Sequence, residues 1–171
     1  IENEYKVNTI EENISWKLSD TLDLNFYMSI DRVDEIAPNV RRFIDFKTGV
    51  EETSISDLNN IFTSYKNEKS GIFQLLLYCE AYMSLRNSNV DIQPVLHPLR
   101  KLVSSPKINF ISVGKTKDLK YSQIRDTFRP LLIDMLERIF DDTTPFVQCE
   151  DTSACKYCPF LPLCGRSIKK Y

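Results

Sequence analysis

The chain has 171 residues, 42% of them hydrophobic and 27% charged, with a formal net charge of -2, and a chain of that size buries about two-thirds of the surface it exposes when unfolded. This make-up excludes a collagen, a disulfide-stapled mini-protein and a disordered tail, and near neutrality excludes a polybasic binder whose whole surface is a phosphate-binding field. No apolar run approaches the ~20 residues of a membrane span and no basic-then-apolar leader is visible, so no membrane is expected. The opening at Ile1 reads as a piece of something longer. Five cysteines, three of them between Cys155 and Cys164, suit metal ligation in a reducing compartment better than a disulfide framework, which points to the cytoplasm.

Residues 13–19, 24–36 and 41–47 alternate or run apolar with β-branched and aromatic side chains, predicting three successive strands. Pro38-Asn39 separates the second from the third. Proline cannot donate to a ladder and asparagine tolerates turn geometry, so the connection is an antiparallel hairpin. Ser54 or Ser56 caps a short helix through about Tyr65, and Ser70-Gly71 opens a stronger helix that ends near Arg86-Asn87. Two more strands are predicted at 91–97 and 107–114, and the best helical spacing runs from Ser122 to Asp141. A Thr-Pro break and a cysteine-rich tail follow. Three strands, two helices, two strands and a helix amount to one α/β (α+β) layer structure with a central mixed β-sheet flanked by helices. Residues 1–148 form the core, and 149–171 the tail packed on the same domain.

Strand periodicity puts Asp45 and Lys47 on one face and Phe46 on the other. A hairpin turning about residue 38 sets Asp31 directly across from Asp45, with the two carboxylates about 5 Å apart. Like charges facing one another repel unless a cation lies between them, and hard divalent ions such as Mg²⁺ or Mn²⁺ fit that role. Lys47, falling opposite the small Ser29, is placed to orient or deprotonate a metal-bound water or to stabilise charge on a phosphate. The plainer alternative has Asp31 paired with Arg32 or Arg41 and Asp45-Lys47 on an ordinary solvated face.

In the tail, Cys155-x2-Cys158-x5-Cys164 brings three thiolates within reach of one centre, and Pro159-Phe160 and Pro162 favour a tight irregular loop over a helix. Four soft ligands complete a zinc site or an iron-sulfur cluster, and Cys149 is a candidate for the fourth. Cys79, among leucines, reads as a small buried thiol. His97 has no serine or cysteine partner nearby and reads as structural. With four glycines and no phosphate-cradling loop, ATP hydrolysis is not expected of this chain.

The blocks Ser29-Ile30-Asp31-Arg32-Val33-Asp34, Ile44-Asp45-Phe46-Lys47-Thr48-Gly49, Gln74 to Tyr78, and Cys155-x-x-Cys158-Pro159-Phe160 ending at Cys164 together resemble the PD-(D/E)XK nuclease superfamily. Within it they resemble the RecB/AddB-like exonuclease domains of recombination and repair helicase-nucleases. The resemblance implies a restriction-endonuclease-like core and a metal-dependent DNA exonuclease. Asp31, Asp45 and the backbone carbonyl of Phe46 would bind Mg²⁺ or Mn²⁺, Lys47 would position the nucleophilic water, and Gln74 and Tyr78 would reach the site or the DNA backbone together from one helical face. It further implies a four-iron cluster on Cys155, Cys158 and Cys164, completed in the family by a cysteine upstream of the core. DNA and a helicase subunit or helicase domain of the parent chain would be the partners. Met28 departs from the glycine usual before the Ile-Asp-Arg run. The family's first helix, which often carries His or Glu, is not in the sequence, leaving Glu11 and Glu12 as candidates for an extra acid or as solvated strand-entry residues. The alternative function is a catalytically inactive nuclease-like module that binds DNA or a partner, and a zinc-binding structural protein is a third.

Overall fold

The structure, a computed structural model, describes residues 6–18, 24–49, 52–63, 69–86, 89–101, 110–145, 147–148, 150 and 152–166. Strands β1 (Lys6–Lys17), β2 (Asn25–Ala37), β3 (Val40–Lys47) and, after two helices, β5 (Asp91–Pro98) form a four-stranded mixed sheet in the order β1-β2-β3-β5. The β1-β2 and β2-β3 pairs are antiparallel and β3-β5 is parallel. The turn falls at Pro38-Asn39, as its chemistry predicts, with Asn39 at φ 59°. The Asn39 carbonyl also accepts the Asp91 amide at 2.8 Å, tying the start of β5 to the hairpin.

The β2-β3 register places Arg32 opposite Ile44, Val33 opposite Phe43 and Asp34 opposite Arg42, as a turn about residue 38 requires. The ladder stops at Arg32-Ile44, one residue short of Asp31-Asp45. A local slip accompanies the stop. Ile30 and Val33 are both fully buried although three positions apart, so the inward-outward alternation shifts by one place at Asp31-Arg32. On β1, Glu11 lies between the pairs Ile10-Arg32 and Glu12-Ile30 and is left-handed at φ 54°.

Helix α2 (Ser70–Arg86) connects β3 to the parallel β5 and is buried on more than one side, from Ile72, Leu75 and Leu76 through Tyr78, Cys79 and Ala81 to Tyr82. A helix apolar around its circumference lies between two layers. Its sheet side sets the Tyr82 ring edge-on against Phe43 of β3 at 5.0 Å. On the other side Phe73 meets Phe62 of the short α1 (Asn59–Thr63) and Phe128 of α3 (Arg125–Phe140). Among the described residues no helix is long and apolar enough to cross a membrane.

Several expected elements are corrected. The first strand begins at Lys6 rather than Asn13, because its first half is exposed and carries no alternation. Ser54 does not cap a helix. It belongs to β4 (Ser54–Ile55), which pairs in parallel with β6 (Ser112–Val113) as a separate small sheet, while the Asp57 carboxylate accepts the Asn59 amide at the head of α1. Of the strand expected at 107–114, residues 107–109 lie outside the described residues, Phe110 bridges Val95, and only Ser112–Val113 is ladder. That strand ends at Gly114, at φ 59°, where a Cβ would stand 3.4 Å from the Ser56 carbonyl. The last helix is preceded by a 3-10 turn at Tyr121–Gln123. The cysteine tail opens with a 3-10 helix, Thr152–Tyr157, which takes in Cys155, and the Pro159-Phe160 and Pro162 stretch then runs in tight turns to Gly165, as its prolines predict.

Candidate active site

The splayed end of the β2-β3 ladder gathers the acidic residues. Continuing the register would bring Phe46 opposite Ile30, but the Phe46 amide donates instead to the Asp31 carboxylate at 2.8 Å. Asp31 therefore takes the place of the missing ladder bond, beside the peptide that follows Asp45. In extended backbone the N–H and C=O of one residue point to the same edge, so the Phe46 carbonyl faces the Asp31 side as well. Asp45 is 4% exposed, and its carboxylate lies 2.9 Å from the Lys47 ammonium on the same strand face.

Lys47 extends this contact onto the helix. Its ammonium donates to the Gln74 side-chain carbonyl at 2.7 Å, and the Gln74 amide nitrogen donates to the Tyr78 hydroxyl at 2.6 Å. The i, i+4 spacing on α2 stacks Gln74, Tyr78 and Tyr82 in one column running back along β3, from Gln74 at Lys47 to Tyr82 at Phe43. One hydrogen-bonded file thus leads from a buried carboxylate through an ammonium and an amide to a phenol. On the opposite face the Phe46 ring meets His97, its partner on β5, edge-on at 5.8 Å, in keeping with a structural role for that histidine.

Arg32 grips the buried Asp34 through two hydrogen bonds of 2.8 and 3.2 Å. Arg41 pairs with Glu35 at 2.7 Å, and Arg42 donates to Gln93 and lies over the Phe110 ring. These arginines are engaged within the fold, and Arg32 and Arg41 pair with Asp34 and Glu35, not with Asp31, in the contacts seen.

The profile of the PD-(D/E)XK nuclease superfamily matches residues 4–165. The chain belongs to that superfamily. Its four-stranded mixed sheet flanked by helices is the restriction-endonuclease-like architecture expected of such a nuclease. No curated protein and no solved structure matches the chain.

Nucleases of this superfamily typically use Mg²⁺ or Mn²⁺, and the donors around the ladder end are of a kind that suits such an ion. Two carboxylates and a main-chain carbonyl are hard oxygen donors of the kind Mg²⁺ and Mn²⁺ take, with water completing the shell. Glu12 is occupied elsewhere: it accepts from Thr9 at 2.7 Å and from Arg86 at 3.0 Å. Glu11 is exposed on the edge strand.

Cys155, Cys158 and Cys164 are half-buried free thiols, and Arg166 donates to the Cys155 sulfur at 3.3 Å. Cys149 lies outside the described residues. Among the described residues, which leave out Cys149, no set of three or more His, Cys, Asp or Glu side chains is arranged to hold a metal ion, so nothing here supports the expected iron-sulfur or zinc group.

Sequence reasoning missed a buried charge cluster behind the site. Glu80, fully buried on α2, accepts from the Tyr121 hydroxyl at 2.8 Å, from Ser84 at 2.8 Å, from Arg125 at 2.9 and 3.2 Å, and from Arg129. Burial pushes its carboxyl up, but hydrogen bonds from Arg125, Ser84, Tyr121 and Arg129 outweigh that and hold it below its ordinary value. Burial, with the Glu80 charge beside it, pushes the Tyr121 phenol far up. The available signal was a lone glutamate in the apolar run Leu75 to Tyr82, together with arginines four apart at 125 and 129. The cluster locks the far side of α2 to α3 while the near side presents Gln74 and Tyr78.

Proposed function

We propose that the chain is a Mg²⁺- or Mn²⁺-dependent deoxyribonuclease, an exonuclease domain of a cytoplasmic recombination or repair helicase-nuclease whose partner is a helicase subunit or helicase domain. The observation that carries this reading is the convergence of Asp31, Asp45, Lys47, Gln74 and Tyr78 on the opened end of one strand pair. Asp31, Asp45 and the Phe46 carbonyl would hold the ion. Bound there, a divalent cation supplies Lewis-acid stabilisation of a phosphoryl oxygen and a water of lowered pKa. Lys47, gripped between Asp45 and Gln74, holds its ammonium at a defined place beside that position, where it counters charge gathering on the phosphate. Gln74 is itself aligned by Tyr78, so the lysine does not need to be ordered at the moment of reaction. The net change is hydrolysis: water adds to phosphorus, one P–O bond breaks, and the leaving oxygen departs protonated. The order and spacing of the four sequence blocks support the helicase-nuclease setting.

The test is incubation of end-labelled single- and double-stranded DNA with the chain in Mg²⁺, in Mn²⁺ and in a chelator. Cleavage from an end that requires the ion is expected. DNA binding without cleavage in either ion would favour an inactive nuclease-like module instead.

A further inference from the structure

Among the described residues, three other than glycine stand at positive φ, and one of them is out of place. Asn39 lies in the β2-β3 turn and Asp118 in a bend, and both are of the short polar kind that tolerates a left-handed backbone. Glu11, at φ 54°, lies inside β1 and has no such side chain. The pairs Ile10-Arg32 and Glu12-Ile30 keep the same register and flank it, so Glu11 stands across from Asp31 at a step the ladder skips.

Both strands change face at that step. On β2, Ile30 and Val33 are fully buried although three positions apart. On β1, the Thr9 hydroxyl donates to the Glu12 carboxylate at 2.7 Å, whereas strict alternation sends side chains three apart to opposite faces. A slip in β2 alone would turn its side chains away from those of β1, and Ile14 would leave the core face on which it pairs with Met28. One left-handed residue lets β1 change face without gaining a residue, so the two strands slip in step. The kink is held on both sides. The Asn13 side-chain amide donates to the Glu11 carbonyl at 3.3 Å, and Arg86 of α2, whose guanidinium lies 4.9 Å from the Tyr82 ring centroid, donates to Glu12 at 3.0 Å.

The slip decides where Asp31 points. Counted from Ile30, alternation sends it to the sheet face away from α2; counted from Val33, it goes to the face of Asp45. With the slip its carboxylate meets the Phe46 amide at 2.8 Å. We propose that the left-handed backbone of Glu11 is a positioning device for Asp31, carrying β1 through the slip so that the Asp31 carboxylate stays on the Phe46 amide, beside the place of the metal ion. The part that concerns the ion rests on the nuclease reading. Glu11 acts through its backbone and through Asp31; its own carboxylate takes no part, so it is not an extra metal-binding acid.

Two readouts test this. Exchange of the Phe46 amide, followed by NMR in chelator, reports the Asp31 bond, and Mn²⁺ affinity, measured by calorimetry without DNA, reports the ion site. Glu11→Val puts a β-branched residue where positive φ excludes it. It is expected to speed Phe46 exchange about tenfold relative to the amides of the β2-β3 ladder and to weaken Mn²⁺ binding about tenfold. Glu11→Gly, at ease at positive φ, and Glu11→Gln, uncharged with the same backbone preference, should stay within about twofold of the parent in both readouts. Ile14→Val loosens β1 in the core without touching the slip; it should lower Tm and leave both readouts unchanged. Should Glu11→Val not fold, Asn13→Ala, at an exposed position, removes the bond to the Glu11 carbonyl and carries the same readouts at about threefold. Parent-like Phe46 exchange in Glu11→Val, or in Asn13→Ala where Glu11→Val does not fold, would overturn the device. So would a loss in Glu11→Gln equal to that in Glu11→Val, which makes the carboxylate the acting group, or an equal loss in Ile14→Val. A parent that binds no Mn²⁺ would count against the nuclease reading alone, because Phe46 exchange is measured without the ion.

Discussion

Replacing Glu80 by glutamine keeps the shape of α2 and removes the charge at the centre of its packing against α3. The fully buried carboxylate accepts five hydrogen bonds, from Tyr121, Ser84, Arg129 and twice from Arg125. A glutamine oxygen can accept about two of them, and its NH₂ then faces arginine donors. Breaking a buried ion pair costs about 3–5 kcal/mol. The arginine side chains are 31% and 36% exposed and regain water, so surface screening lowers the expected loss to about 2–3 kcal/mol. For a chain of this length that is a fall in Tm of roughly 4–12 °C, or a matching shift of the urea midpoint at constant slope. The pH dependence follows from the sign of the shift. Glu80 is held below its ordinary value of 4.5, so its contribution is complete above that pH and is lost as the pH falls through the folded-state pKa. The stability gap between the parent and Glu80→Gln should be constant near neutrality and narrow below about pH 4.5. Equal midpoints for the two proteins at pH 7, or a gap that widens in acid, would refute the reasoning.

Asp31→Asn keeps an oxygen for the Phe46 amide and removes the charge. Its Tm should stay within about 2 °C of the parent while Mn²⁺ affinity, read by titration calorimetry, falls at least tenfold. Gln74→Ala leaves the Lys47 ammonium without its helix-side acceptor, so kcat should drop by about one order of magnitude in the DNA cleavage assay. Tyr78→Phe, which removes only the group that orients Gln74, should cost less in the same assay. Burial, reinforced by the charges of Glu80 and Asp91, pushes the Cys79 thiol up, so peptide mapping after native alkylation should find Cys79 unmodified until the chain is unfolded.

Much of the site was legible because it depends on parity and turn chemistry. Pro38-Asn39 sets the hairpin, the hairpin sets the β2-β3 register, and period two alone joins Asp45 to Lys47. The Gln74-Tyr78 pair follows from helical spacing once α2 is recognised. What stayed hidden depends on tertiary contacts. The stop of the ladder at Arg32-Ile44 and the slip at Asp31-Arg32 leave no mark in residue pattern, yet they turn the Asp31 carboxylate onto the Phe46 amide. Strands β4 and β6 are two residues each, too short for any period to register. The first half of β1 is exposed and so lacks the alternation that reveals a strand. In the tail, Pro159 and Pro162 do keep residues 159–165 in tight turns, with backbone hydrogen bonds from Cys158 to the Cys155 carbonyl and from Leu161 to the Cys158 carbonyl, while the preceding 3-10 helix over Thr152–Tyr157 left no periodic signal.

The central claim is that Asp45 and Lys47 form the working pair of a metal-dependent nuclease. It is tested most directly by cleavage of end-labelled DNA in Mg²⁺ or Mn²⁺ with the parent chain, Asp45→Ala and Lys47→Ala prepared side by side. The account predicts ion-dependent cleavage by the parent and losses of at least about a hundredfold in kcat for each variant. Cleavage by both variants at the parent's rate would contradict it.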